Sequence, residues 1–218
     1  MDIDKIINIY SSEEHTFNIF MSTVVNMFQL EPSLNEYGTP IIHTLKSRLK
    51  DKDHLREKIS RKEADDNPIT EENLFERITD LAGVRVLHLY QDQFINIHEF
   101  IKSQIEKGEW FYREPPVAYT WDPECRTYFT GLGLECKVKE SYYTSIHYLI
   151  KPKENSLITC EIQVRTLFEE IWGEIDHTIN YPHKTENISC REQLRVLSKL
   201  VSTGTRLADS IFRTHRAG

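Results

Sequence analysis

The chain is predicted to adopt an α/β (α+β) fold, a mixed β-sheet packed among helices, and three observations carry that prediction. Apolar residues recur at helical spacing towards both ends. At Gly83 the period changes from helical to alternating. Beyond Gly83, short alternating runs are interrupted by a single helical stretch, the pattern of a sheet with helices around it.

In chain order, residues 3–29 place Ile6, Ile9, Phe17, Phe20, Val24, Val25 and Phe28 on a helical repeat, which predicts one or two helices. Glu31-Pro32-Ser33 breaks them, with Ser33 a candidate cap. Residues 34–63 read as a second long helix, interrupted near Gly38-Thr39-Pro40. Asp65-Asp66-Asn67-Pro68 reads as a loop, and Thr70 with Glu71 and Glu72 opens a short helix. Residues 84–89 read as a strand, and 92–106 as a helix with Phe94, Ile97, Ile101 and Ile105 on one face. Shorter strands are expected over 109–117, 126–130 and 133–139. Two further strands, 144–150 and 157–164, are joined by a turn around Lys153-Glu154-Asn155. A helix over 166–179 stops before Tyr181-Pro182. A last amphipathic helix covers 189–214, through Leu194, Leu197, Leu200, Val201, Leu207 and Ile211. The whole, residues 1–218, is expected to be one domain: a helical part (1–78), an α/β core (79–182) and the C-terminal helix.

Composition narrows the function classes. With 39% hydrophobic and 28% charged residues, the chain has the balance of an ordinary globular protein. No apolar run approaches the roughly 20 residues of a membrane span, and Met1-Asp2-Ile3-Asp4 lacks the basic-then-apolar order of a signal peptide. Four cysteines, Cys125, Cys136, Cys160 and Cys190, are widely spaced and read as reduced thiols of a cytoplasmic protein. The net charge of −7 argues against nucleic-acid binding through a general field, so any polyanion site must be a local basic patch.

Four constellations could carry chemistry. Lys46, Lys50, His54, Lys58 and Lys62 recur every fourth residue, flanked by Arg48 and Arg61. On a helix they would align as a comb for polyphosphate, or as a solvated face neutralised by Asp51, Asp53 and Glu57. Asp80 precedes the first strand and Arg85 lies within it; the pair reads as half a metal site plus a substrate cation, or as a simple ion pair. Tyr142-Tyr143-Thr144-Ser145-Ile146-His147 could offer a ring to a nucleobase, or could be ordinary strand alternation. Glu161, Gln163 and Arg165 alternate, so an acid, an amide and a cation share one strand face. That is a poor core surface and a good site surface. Asp176-His177 is read as anchoring a helix end, and Trp110 and Trp172 as core.

In this order the four segments resemble the synthetase domain of the RelA/SpoT family, above all its small single-domain alarmone synthetases and their toxin relatives. The resemblance covers residues 40–182. It rests on Arg48-x-Lys50 with Lys58, Asp80-Leu-Ala-Gly-Val-Arg85, Tyr143-x-Ser-Ile-His147 and Glu161-Ile-Gln-Val-Arg165-Thr. It implies a nucleotidyltransferase-like fold with a sheet of about five strands. It further implies a pyrophosphokinase that moves the β,γ-pyrophosphate of ATP to the ribose 3′-hydroxyl of GDP or GTP, releasing AMP. Arg48 and Arg85 would then sandwich adenine, and Lys50, Lys58 and Arg61 would hold the ATP phosphates. Asp80 and Glu161 would bind Mg²⁺ and serve catalysis, Glu161 as proton acceptor. Tyr143, His147, Gln163, Arg165 and Glu170 would bind the acceptor. The toxin relatives imply an alternative acceptor, the 3′ end of tRNA, with an antitoxin protein as partner; a catalytically silent nucleotide-binding module is a third reading. A homo-oligomer is a further expected partner state.

Departures from the family pattern are specific. Tyr142 stands where a glycine usually precedes the stacking tyrosine, so two rings are expected to compete for the acceptor. His54 replaces a serine, and Glu170 replaces an Asn or Asp near the acceptor base. No His-Asp hydrolase signature is present, so synthesis alone is expected.

Overall fold

The computed structural model describes residues 2–35, 40–62, 67–139, 142–181 and 183–218. The expectations for Gly38, Thr39, Asp65, Asp66, Glu140, Ser141 and Pro182 lie outside the described residues. The chain opens with a single helix, α1 (Ile3–Leu30), capped by Asp2 and burying Ile6, Tyr10, Phe17, Met21, Val24 and Phe28 along one face. A short turn of helix, α2 (Pro32–Asn35), follows; Ser33 lies inside it, and Glu31 accepts from both the Ser33 amide and hydroxyl.

The expected helix over 34–63 does not form. Residues Thr44–Leu49 are strand β1, and a separate helix, α3 (Lys52–Arg61), begins after it. A spacing of four satisfies a strand (period 2) as well as a helix, so Lys46 and Lys50 did not discriminate between them. Asp51 marks the break: its carboxylate accepts from the amides of Asp53 and His54, at 2.9 and 3.1 Å, as a helix cap. The comb is therefore split between a strand and a helix.

Next come α4 (Leu74–Arg77), β2 (Ala82–His88), α5 (Phe94–Glu106) and β3 (Phe111–Tyr119). The expected strand at 126–130 is instead α6 (Pro123–Gly131), because Asp122 caps it and Pro123 fills its first turn. Strands β4 (Glu135–Lys137), β5 (Ser145–Lys151) and β6 (Cys160–Thr166) follow, then α7 (Leu167–Asn180) and α8 (Ile188–Ala217). The sheet has six strands in the order β1-β2-β6-β5-β3-β4, one more than expected; β2–β6 and β3–β4 are parallel and the other pairs antiparallel.

Register decides what the sheet presents. Partnered residues point to the same side of a sheet. Lys46 lies opposite Arg85, which lies beside Gln163, which lies beside His147. Arg48 lies opposite Gly83, which lies beside Glu161. One face is thus polar across four strands. The alternate residues, Val84, Val86, Ile146, Tyr148, Ile162 and Val164, are buried on the other face in a core shared with α1 and α5. Trp110 and Trp172 are both buried, as expected. No described helix is long and apolar enough to cross a membrane.

Candidate active site

A cavity of about 950 Å³ opens over the polar face and is roofed by α7 and the start of α8. Arg48, Asp80, Arg85, Tyr143, Glu161, Gln163 and Arg165 line it together, although they come from sequence positions more than a hundred residues apart. Gly83 sits between Arg48 and Glu161 with no side chain. A Cβ there would meet only the Glu161 carbonyl, at 3.8 Å, so the glycine keeps the floor of the cavity low.

Glu161 accepts from the Gln163 amide at 2.7 Å and lies 3.0 Å from His147 Nδ1. The far nitrogen of His147 lies 3.1 Å from the Tyr143 hydroxyl. Burial pushes the Tyr143 hydroxyl up from its ordinary range, so it stays protonated. Where Tyr143 donates to Nε2, it is Nδ1 that carries the hydrogen Glu161 accepts. Burial raises the Glu161 pKa, but the contacts to His147 and Gln163 outweigh it, and the net shift is downward. Glu161 is an oriented carboxylate at neutral pH.

Asp80 holds Lys50 and Lys58, one on each oxygen at 2.8 Å. Burial raises its pKa, yet the two ammonium groups more than reverse this and bring it down to about 2. The Lys50 carbonyl is fixed in turn by the Tyr10 hydroxyl of α1, at 2.9 Å. Arg85 is not the partner of Asp80, as the ion-pair reading supposed; it meets Glu170 at 3.1 Å and Glu174 at 2.6 Å.

Glu170, expected to bind the acceptor, is held by the cations around it. It is 5% exposed and surrounded by three cations. One oxygen accepts from Lys46 at 2.8 Å and Arg85 at 3.1 Å; the other faces Arg165 Nε at 2.9 Å, out of line for a hydrogen bond. Through two hydrogen bonds on one oxygen and an ion-pair contact on the other, Glu170 ties β1, β2 and β6 to α7. The two tyrosines both line the cavity but in different settings. Tyr142 takes a left-handed backbone (φ 57°) and turns its ring edge-on to Trp121, at 5.5 Å, leaving the inner position to Tyr143. A non-glycine residue there carries a modest strain, which explains why glycine suits this position. His54 packs edge-on to Tyr181, Asp176 accepts from Asn180 at 2.8 Å and His177 stacks on Tyr181, contacts that suit the expected anchoring of this end of α7, while Asp176, His177 and Tyr181 also line the cavity. Arg61 is exposed on α3.

The carboxylates of Asp80 and Glu161 are both ionised, both line the cavity, and lie near enough for Asp80 to oppose ionisation of Glu161. Among the described residues no group of three or more His, Cys, Asp and Glu forms a metal cage. Asp80 and Glu161 are the pair that would hold a divalent ion, phosphates drawing the two lysines off Asp80 and, with waters, completing its shell.

The sequence reading missed Gly173, Glu174, Lys184, Arg191 and Arg195, all of which line the cavity. Gly173 alone carried a signal, a glycine inside a helical pattern.

A mixed sheet with one polar face, two ionised carboxylates and a cavity lined by several cations defines a class suited to anionic, phosphate-bearing substrates, and the comparisons agree with it. Residues 47–186 match the profile described as the region found in RelA / SpoT proteins. The chain is 25% identical over 170 residues to the GTP pyrophosphokinase YwaC of Bacillus subtilis (strain 168), covering 74% of this chain and 68% of that protein. The small alarmone synthetase 1 of Bacillus subtilis superposes with a TM-score of 0.70 at 18% identity, over 96% of both chains. A GTP pyrophosphokinase family protein from Streptococcus pneumoniae superposes with a TM-score of 0.67 at 18% identity, over 93% of this chain and 90% of that one. The chain belongs to the RelA/SpoT family.

Proposed function

We propose that this chain is a pyrophosphokinase that transfers the β,γ-pyrophosphate of ATP to the ribose 3′-hydroxyl of GDP or GTP, making a (p)ppGpp alarmone. The observation that carries the reading is Glu161: an ionised, oriented carboxylate between the basic edge of the sheet and Tyr143. The related structures in complex with pppGpp and with AMPCPP support nucleotides on both sides of such a cavity.

In this reading Arg48 and Arg85 clasp the adenine from adjacent strands. Lys50, Lys58 and Arg61 take the phosphates, the lysines exchanging Asp80 oxygens for phosphoryl oxygens. Tyr143 stacks on the guanine, and Gln163 and Arg165 orient the acceptor. The 3′-oxygen attacks the β-phosphorus as the bridging bond to the α-phosphate breaks, AMP leaves, and the hydroxyl proton passes to Glu161. Such a transfer depends on alignment and charge neutralisation more than on covalent chemistry. When bound by Asp80 and Glu161, Mg²⁺ supplies part of that neutralisation and lowers the hydroxyl pKa. His147 acts behind Glu161, holding its carboxylate in place.

The test is incubation with γ-³²P-labelled ATP and separately GDP, GTP, ATP and deacylated tRNA. Label in GDP and GTP with stoichiometric AMP is expected. Label confined to tRNA, the toxin outcome, overturns this acceptor; nucleotide binding without transfer overturns the enzyme.

A further inference from the structure

The geometry points to α1 as a working part of the phosphate site, with Tyr10 the positioning residue that holds Lys50 and Lys58 where ATP phosphates meet them. This rests on the reading that the two lysines take those phosphates, and it reaches a helix outside the family-matched span of residues 47–186.

Lys50 and Lys58 belong to different elements and converge on one carboxylate. Lys50 follows β1, Lys58 lies on α3, and each places its ammonium 2.8 Å from a different oxygen of Asp80. Their convergence depends on the corner between β1 and α3, at residues 50 and 51. Three contacts fix that corner. The Lys50 amide donates to the Leu81 carbonyl at 2.7 Å, which ties it to the residue after Asp80. Asp51 caps α3 through the amides of Asp53 and His54. The Tyr10 hydroxyl donates to the Lys50 carbonyl at 2.9 Å. With its amide and its carbonyl both held, the Lys50 backbone has a fixed direction, and the start of α3 inherits it.

Tyr10 is itself rigidly placed. It has no exposed surface, and its ring meets Phe17 edge-on at 6.2 Å. Burial, reinforced by Glu14, pushes its hydroxyl up to about 12, so it remains a donor at neutral pH. The same helix also sets the rotation of α3. Glu14 meets Lys52 at 3.0 Å, and Asp4 meets Arg56 at 2.8 Å. Lys52 and Arg56 lie one turn apart, whereas Lys58 stands about 200° around the helix from Arg56. Pinning the first pair to α1 therefore turns Lys58 towards Asp80. Both ion pairs are partly exposed and weak, which leaves the buried Tyr10 bond as the deciding contact.

The test measures ATP affinity by calorimetry, KM for GTP at saturating ATP, and melting temperature. The variants are Tyr10→Phe, Val24→Ala and Lys58→Ala. Tyr10→Phe keeps the buried ring and removes only the donor. It should weaken ATP binding about 5- to 10-fold, the scale of one hydrogen bond, with KM for GTP unchanged. Val24 is buried on the same helix about 21 Å further along, so Val24→Ala supplies a loss of packing remote from the corner. It should lower the melting temperature at least as much as Tyr10→Phe, yet leave ATP affinity within about twofold, as an independent site does. Unchanged ATP affinity in Tyr10→Phe, or an equal loss in Val24→Ala, overturns the positioning role while leaving the reaction standing. Unchanged ATP affinity in Lys58→Ala overturns the phosphate reading beneath it.

Discussion

Gly173 stands in the middle of α7, where glycine costs about 1 kcal/mol relative to alanine. Arg165 accounts for it: a Cβ at Gly173 would lie 2.7 Å from the Arg165 guanidinium, closer than any real contact. Arg165 is almost fully buried and faces Glu170, so it has little room to yield. Gly173→Ala should therefore lower the melting temperature, the clash outweighing the helix propensity gained, and transfer should fall by about tenfold, since sub-ångström displacement of a positioning group is costly. An unchanged melting temperature with unchanged transfer contradicts this. Asp80 gives a second prediction. Its pKa falls from 3.8 to about 2 on folding, so its contribution is present above pH 4 and is lost as pH drops towards 2. Chemical denaturation of wild type and Asp80→Asn should show the wild type losing about 2 kcal/mol more between pH 5 and pH 2. At this scale the sequence marked most of the site, because Glu161, Gln163 and Arg165 alternate within one segment. It could not mark Glu170's commitment to Lys46, since the two meet across 124 residues.

Among the elements, those with one strong period were legible and those with two compatible periods were not. α1, α5, β2, β5, β6 and α7 fall close to where periodicity placed them. β1 was hidden by lysines at a spacing of four, and α6 by a short apolar run whose Asp122-Pro123 start signal outweighs it. The last helix is differently placed from its pattern. Leu194, Ser198, Val201, Ser202, Thr205 and Asp209 are buried, while Val196, Leu200, Leu207 and Ile211 are exposed. Polar contacts dock it: Asp122 accepts from the Ser202 hydroxyl and pairs with Arg206 at 2.8 Å, and Arg213 pairs with Asp92. Glu169 lies buried at the start of α7 beside this junction. Burial, reinforced by Asp122 and partly offset by Arg165, raises its pKa from 4.5 to about 8. The folded state thus holds that proton more tightly, and its stabilisation is complete below pH 4.5 and lost as pH rises towards 8. Melting curves at pH 5, 6.5 and 8 should show a decline in wild type that Glu169→Gln largely removes. Parallel declines in both proteins would place the titration elsewhere.

For the whole molecule, the division of labour between the two sheet faces is set by register, and the sequence conveyed it only for β5 and β6, where Ser145 and His147, and Glu161, Gln163 and Arg165, alternate. Even residues from Lys46 to Arg48, and odd ones from Gly83 to Arg85 and Glu161 to Arg165, share one side because register aligns them. The opposite side is a continuous apolar core. What stayed hidden was the roof, since α7 and α8 meet the sheet through contacts between distant segments that no local pattern encodes. The net charge of −7 also belongs to this scale: the basic cavity is a local exception on an acidic protein, so substrate binding should weaken with salt through a few contacts only. The account as a whole turns on Glu161 acting in transfer and not in holding ATP. The direct measurement is Glu161→Gln, assayed for AMP release with GTP at saturating substrates and for ATP affinity by calorimetry. ATP affinity within about threefold of wild type with transfer reduced at least 100-fold, the scale of a lost general base, is the predicted result. Turnover close to wild type in that variant would contradict the assigned site.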